Sequence, residues 1–291
     1  MKLEWAIALI LLAAASCASS AKAESSPWAA ANPDWVERID PFPIYGEVYF
    51  VGVRGLSSFL IATPDGHFLI DGGLPENADV IADNIKSLGF KVEDVKYLLN
   101  SHAHLDHSGG LAALKEISGA LMIASEGDRW ALEAGLVPGS EDDPDYAAPP
   151  VKVDRVIRDE ESLTLGGVTL TARLMPGHTK GCTSWSMRSG DKEILFFCSA
   201  TVANNRLVGP PQYDGIVEDY RATFVRTKAW RPDVLLANHP EFFAMEQKRV
   251  RRIAGDENAF VDQDGFPALM EKLEAAFVQA LAEQTTQAQT K

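Results

Sequence analysis

An α/β fold is predicted for this chain by three observations. Short β-rich runs alternate with stretches of helical periodicity along its length. The 291 residues are 46% hydrophobic, with no long low-complexity block, which is enough for a sizeable core. Four apolar runs each lead straight into a polar residue, and sites in open α/β sheets form just beyond the carboxyl ends of strands.

The N-terminus, "MKLEWAIALILLAAASCASSAKAESS", has Lys2 ahead of an apolar run from Trp5 to about Ala15, then small residues with an A-x-A pattern at Ala21-Lys22-Ala23. This is the layout of a secretory signal peptide over residues 1–23, and the run is short for a membrane span. Glu4 departs from the usual basic start. Cleavage near Ala23 and release into the periplasm are expected. Lipid anchoring through Cys17 is the alternative, weakened by the missing Leu three positions earlier. No clean linker follows, so residues 24–291 are expected to form one domain.

From Tyr45, "EVYFVGV", "SSFLIAT" and "HFLIDGG" read as strands, with "TPDG" as the hairpin turn between the last two. "ENADVIADNIKSLGF" puts Val80, Ile81, Ile85 and Leu88 on roughly one helix face and stops at Gly89. "VKYLLNS" is a buried-type strand, "LAALKEI" a helix and "LMIAS" another strand. Residues 135–154 are rich in Pro and acid: a surface loop, with a place beside the site as the sharper reading. "SLTLGGVTLTARLMPGH", "EILFFCSAT" and "PDVLLANHP" are further strands with polar ends. "FPALMEKLEAAFVQALAEQ" is an amphipathic helix, and "TTQAQTK" beyond it is expected to fray. "DVKYLLNSH" and "DVLLANH" echo each other, a hint of internal duplication.

The formal net charge is −14, which argues against a nucleic-acid partner. An anionic substrate would need a local positive centre, such as a metal ion. After signal cleavage Cys182 and Cys198 are the remaining cysteines; pairing and two buried free thiols both stay open.

Five of the six histidines sit at strand ends. The sixth, His67, lies beside the "TPDG" turn and is taken as structural. In "HAHLDH", an extended backbone would bring His102, His104 and Asp106 to one side and turn His107 elsewhere. With His178 and His239 this makes six candidate ligands. A catalytic zinc takes about three protein ligands, so six serve two ions. Imidazole and carboxylate suit zinc, with iron or manganese behind it.

"HAHLDHSGG", "PGHTKGCTSW" and "NHPEFFAMEQKR" together resemble the metallo-β-lactamase superfamily, and more closely the third subclass of class B β-lactamases. The resemblance runs from about Trp35 to the last helix. Glyoxalase-type enzymes and lactonases of that superfamily usually carry a bridging Asp where this chain has Ser199, and the first β-lactamase subclass carries Cys there. The second replaces the first motif histidine with Asn, whereas His102 is intact.

The resemblance implies a four-layered αβ/βα sandwich with metals at one edge between two sheets. It implies one zinc on His102, His104 and His178 and a second on Asp106, His107 and His239. A hydroxide shared by the two ions would open the β-lactam ring, with Asp106 orienting it and passing a proton to nitrogen. Ser199 and Thr201 match positions that contact the substrate carboxylate; strand-end capping is the plainer reading of both. Lys180 is nearby and expected to face solvent. The expected partner is a small-molecule β-lactam, with no nucleic acid, no stable membrane association and a monomeric state. The rivals are an acyl-homoserine lactonase, or an enzyme with both activities, and a non-enzymatic periplasmic zinc carrier.

Overall fold

The computed structural model describes residues 26–290; the proposed signal peptide and Cys17 lie outside the described residues. The first half runs α1 (Pro27–Ala31), β1 (Phe42–Tyr45), β2 (Val48–Phe50), β3 (Phe59–Thr63), β4 (Gly66–Ile70), α2 (Ala78–Ser87), β5 (Val95–Leu99), α3 (Leu105–Ser108), α4 (Leu111–Ser118), β6 (Leu121–Ser125), α5 (Glu126–Ala134) and β7 (Arg155–Ile157). The second half runs β8 (Ser162–Leu165), β9 (Val168–Leu174), β10 (Thr183–Ser189), β11 (Lys192–Phe197), α6 (Ile216–Thr227), β12 (Val234–Ala237), α7 (Met245–Ile253) and α8 (Gly265–Gln289).

β1 to β7 form one sheet in sequence order, and a second sheet has the order β12-β11-β10-β9-β8. In the first, β1 to β4 pair antiparallel, while β4 to β7 are parallel. Strand periodicity then decides the layers, because alternate side chains face opposite sides. Phe59, Ile61, Phe68 and Ile70 enter the core shared with the second sheet. Leu60, Leu69 and Leu98 face the other way, against Ile81 and Ile85 of α2 and Leu111 and Leu114 of α4. In β11, Phe196 meets Phe59 across the sheets at 5.3 Å, and its neighbour Phe197 meets Phe266 of α8 at 5.4 Å. Helix, sheet, sheet and helix therefore stack in the expected four-layered αβ/βα sandwich.

The hairpin at "TPDG" joins β3 to β4, and buried His67 in β4 has a structural partner, its Nδ1 accepting from the Thr63 N–H at 3.3 Å. β5 and β12, the two echoing segments, lie in different sheets and each runs into a histidine loop. The tail departs from expectation. α8 continues to Gln289 instead of fraying at Thr285. Gln284 explains the persistence: its Oε1 accepts from Leu207 N at 2.7 Å and its Nε2 donates to Asn205 O at 3.0 Å. Among the described residues, no helix is long and apolar enough to cross a membrane.

Cys182 and Cys198 are paired, joining the segment before β10 to the end of β11, 16 residues apart in sequence. This settles the open alternative in favour of a disulfide. A loop of that size restricts the unfolded chain by about 3 kcal/mol. The C182S/C198S double variant is expected to lose about 2–4 kcal/mol of stability, read as a lower urea midpoint than that of the oxidised protein.

Candidate metal centre

The site assembles where strand ends from both sheets meet. β4 stops at Ile70 and delivers Asp71, whose φ of 62° is left-handed. Asp71 Oδ1 accepts the Ser101 N–H at 2.7 Å and the Asn100 side-chain amide at 3.1 Å, fixing the chain as it leaves β5. His102 follows directly. The backbone then departs from the extended path that spacing suggested. His104 is the N-cap of α3, and Asp106 and His107 lie within that short helix. Helical turning, not strand alternation, aims them. Asp106 thereby points with His107 and His239, while His102 and His104 point with His178. Gly110 lets the loop pass β4: a Cβ there would stand 2.3 Å from the Gly72 carbonyl oxygen.

The donor atoms form two adjoining groups. His102 Nε2 and His178 Nε2 are 3.1 Å apart, and His104 completes a group able to hold a metal ion. Asp106 Oδ2 lies 3.1 Å from His107 Nε2 and 3.3 Å from His239 Nε2, and the two imidazole nitrogens are 3.2 Å apart. His102, Asp106 and His107 also lie close enough to share an ion, so His102 stands where the groups meet.

These residues fit a metal on chemical grounds. Two ligands at about 2.0–2.1 Å in tetrahedral geometry sit roughly 3.3 Å from each other, close to the separations found here. Burial, reinforced by neighbouring imidazoles, holds His102 and His178 well below the usual histidine range. Burial brings His104 to about 4. Neutral imidazoles carry the lone pair a metal needs. His178 donates from Nδ1 to the Thr201 carbonyl at 2.7 Å, which leaves Nε2 free for the ion. Burial pushes the Asp106 carboxyl up, but His107 and His239 outweigh it and hold it well below the ordinary carboxylate range.

Ser199 and Thr201 stand beside His178. Ser199 Oγ accepts the Thr201 N–H at 3.2 Å, and Ser199 has a φ of 154°, a strained value for a non-glycine residue. Both residues line a cavity of about 290 Å³ over the donors, together with His104, Asp106, His178 and His239. Val137, Ser140 and Tyr146 also line it, so the loop at 135–154 does border the site. Lys180 is exposed and outside the lining.

Several site residues escaped the sequence reading. Trp28 and Trp35 line the cavity mouth, stacked with centroids 6.1 Å apart, and no local pattern marked them. Asp71 had a signal, since "HFLIDGG" is another strand with a polar end. Asp128 in α5 had none; first-turn acids are ordinary there. Yet its buried carboxylate accepts from Ala103 N at 3.0 Å, Thr179 Oγ1 at 2.9 Å and Gly181 N at 2.9 Å, tying the His102–His104 segment to the His178 segment. Burial raises its carboxyl to about 6. In Asp128→Asn the amide N–H meets a backbone donor whichever way it is turned. Metal affinity is expected to fall about 10–100-fold, measured by competition with a chromogenic chelator.

Two donor groups at the sheet edges, opening into one cavity, define a metal-dependent hydrolase. Residues 51–239 match the metallo-β-lactamase superfamily, and the chain belongs to that family. The chain is similar to BJP-1, a subclass B3 metallo-β-lactamase of Bradyrhizobium japonicum, with 46% identity, a TM-score of 0.84, and coverage of 87% of this chain and 97% of that one. It is also similar to the native FEZ-1 metallo-β-lactamase from Legionella gormanii, with 35% identity, a TM-score of 0.83, and coverage of 86% and 98%. Among curated proteins it matches the N-acyl homoserine lactonase AttM of Agrobacterium fabrum, 30% identical over 164 residues. That match spans 47% of this chain and 61% of the lactonase.

Proposed function

We propose that this chain is an exported zinc-dependent β-lactamase of the third subclass of class B, opening penicillins, cephalosporins and carbapenems and so conferring resistance. The observation that carries the substrate class is Ser199. At the end of β11, where lactonases of the superfamily carry a bridging Asp, it offers a hydroxyl beside Thr201. The similarity to subclass B3 enzymes along nearly their whole length supports the same reading.

His102, His104 and His178 would hold one zinc, and Asp106, His107 and His239 the second. Bound zinc supplies Lewis acidity and lowers the pKa of water to about 7. The protein's own groups do the rest. The Asp106 carboxylate, whose Oδ2 faces His107 and His239, would help hold the second ion, orient the attacking water and hold a proton on its way to the lactam nitrogen. Ser199 Oγ and Thr201 Oγ1 receive the substrate carboxylate. Trp28, Trp35 and Tyr146 wall the cavity and exclude bulk water.

Lactonase activity is the second reading, favoured by the AttM match. Turnover of a chromogenic cephalosporin and a carbapenem, set against that of an acyl-homoserine lactone, separates the two. A lactone turned over far better than either β-lactam would overturn the proposal. Hydrolysis of none of them by the fully metal-loaded protein would point instead to a zinc carrier. Export is proposed with it, since the Cys182–Cys198 disulfide suits an oxidising compartment. Mass spectrometry of the mature N-terminus should find a start near residue 24; a lipid-modified Cys17 would contradict it.

A further inference from the structure

The cavity is charged asymmetrically. Its lining contains two carboxylates, Asp106 and Glu241, and no lysine or arginine. Asp106 is committed to His107 and His239. Glu241 is exposed on the turn Pro240–Phe243 that follows His239, and its carboxylate acts on the His239 ring through charge alone. Aromatic rings line the cavity beside His239, the residue two before Glu241. Trp35 and Phe242 lie 5.7 and 5.8 Å from the His239 ring. Trp28 stacks on Trp35. The hydroxyls of Ser199 and Thr201 belong to the other end, where the Thr201 carbonyl holds His178.

A ligand cation is attracted both by a carboxylate and by aromatic faces within about 6 Å. A ligand anion beside Glu241 is repelled by that carboxylate, with no lysine or arginine in the lining to relieve it, while bound zinc would draw anions toward the histidine and Asp106 donors. The chain's net charge of −14 has the same sign as Glu241. We infer that Glu241, which lines the cavity together with Trp35, Phe242 and Trp28, is a specificity-determining residue that selects β-lactams carrying a positive charge on the substituent remote from the ring carboxylate.

This deepens the proposed function and rests on it. A substrate with its ring carboxylate toward Ser199 and Thr201 extends its side chain toward Glu241. Zwitterionic drugs then match both ends of the cavity, and dianionic drugs match only one.

Three penicillins sharing one nucleus and its ring carboxylate provide the test: ampicillin with a side-chain ammonium, benzylpenicillin with an uncharged side chain, and carbenicillin with a side-chain carboxylate. For the zinc-loaded enzyme, kcat/KM is expected to fall in that order by about fivefold per step at low salt, and less at high salt. E241Q should bring the ampicillin-to-carbenicillin ratio toward one, and E241K should invert it. Turnover of all three with a ratio that neither variant moves would overturn this inference alone. No turnover of any of them would overturn the β-lactamase reading and this inference with it.

Discussion

Removing metal with a chelator is expected to lower β-lactam hydrolysis by about a thousandfold or more, corresponding to roughly 4 kcal/mol of lost transition-state stabilisation. Adding zinc back should restore it. The stripped site has no nucleophile of its own to fall back on. Ser199 Oγ accepts the Thr201 N–H, and the Nδ1 of the adjacent His178 is bonded to the Thr201 carbonyl at 2.7 Å, so that nitrogen is not available to take the serine's proton. Hydrolysis that persists in a chelator-treated sample shown to be metal-free would remove the basis of the proposal. The same preparation tests how the ligands divide. His239→Ala should reduce bound zinc from about two ions per chain to about one, because His239 Nε2 approaches Asp106 and His107 while His102 and His178 pair with each other. A variant that still binds about two would contradict that division.

The sequence showed most of this architecture because both relevant signals are local. Strand periodicity marks which residues face the core, and a polar residue after an apolar run marks the edge where strands end. By that rule His102, His178, Ser199 and His239 were all visible. The same rule failed inside "HAHLDH", where alternation was extended past the strand's true end at Leu99. The three-residue offset from His104 to His107 is a helical spacing, and it is the local signal that marks α3. Asp128 was invisible for a different reason. Its three partners come from two segments distant in sequence, and only packing brings α5 against both. Trp28 and Trp35 likewise reach the cavity only because the N-terminal segment is anchored, Trp28 Nε1 donating to the Asp145 carbonyl at 2.5 Å.

Asp106→Asn is expected to lower kcat by about 10²–10⁴-fold, the usual range for losing a positioned general acid or base. Two effects must be separated. Asp106 carries the negative charge that His107 and His239 face at 3.1 and 3.3 Å, so the amide weakens the donor group it belongs to. The amide also cannot accept a proton during the reaction and pass it on, whereas a carboxylate oxygen can. Measuring kcat at zinc concentrations that refill the site isolates the second effect. If proton handling belongs to Asp106, kcat stays low at full metal content, and the loss is greatest for substrates whose leaving nitrogen is most basic. Chromogenic cephalosporins, whose nitrogen lone pair delocalises as the ring opens, should lose least. Recovery to within a few-fold of the parent rate on refilling would confine Asp106 to metal binding.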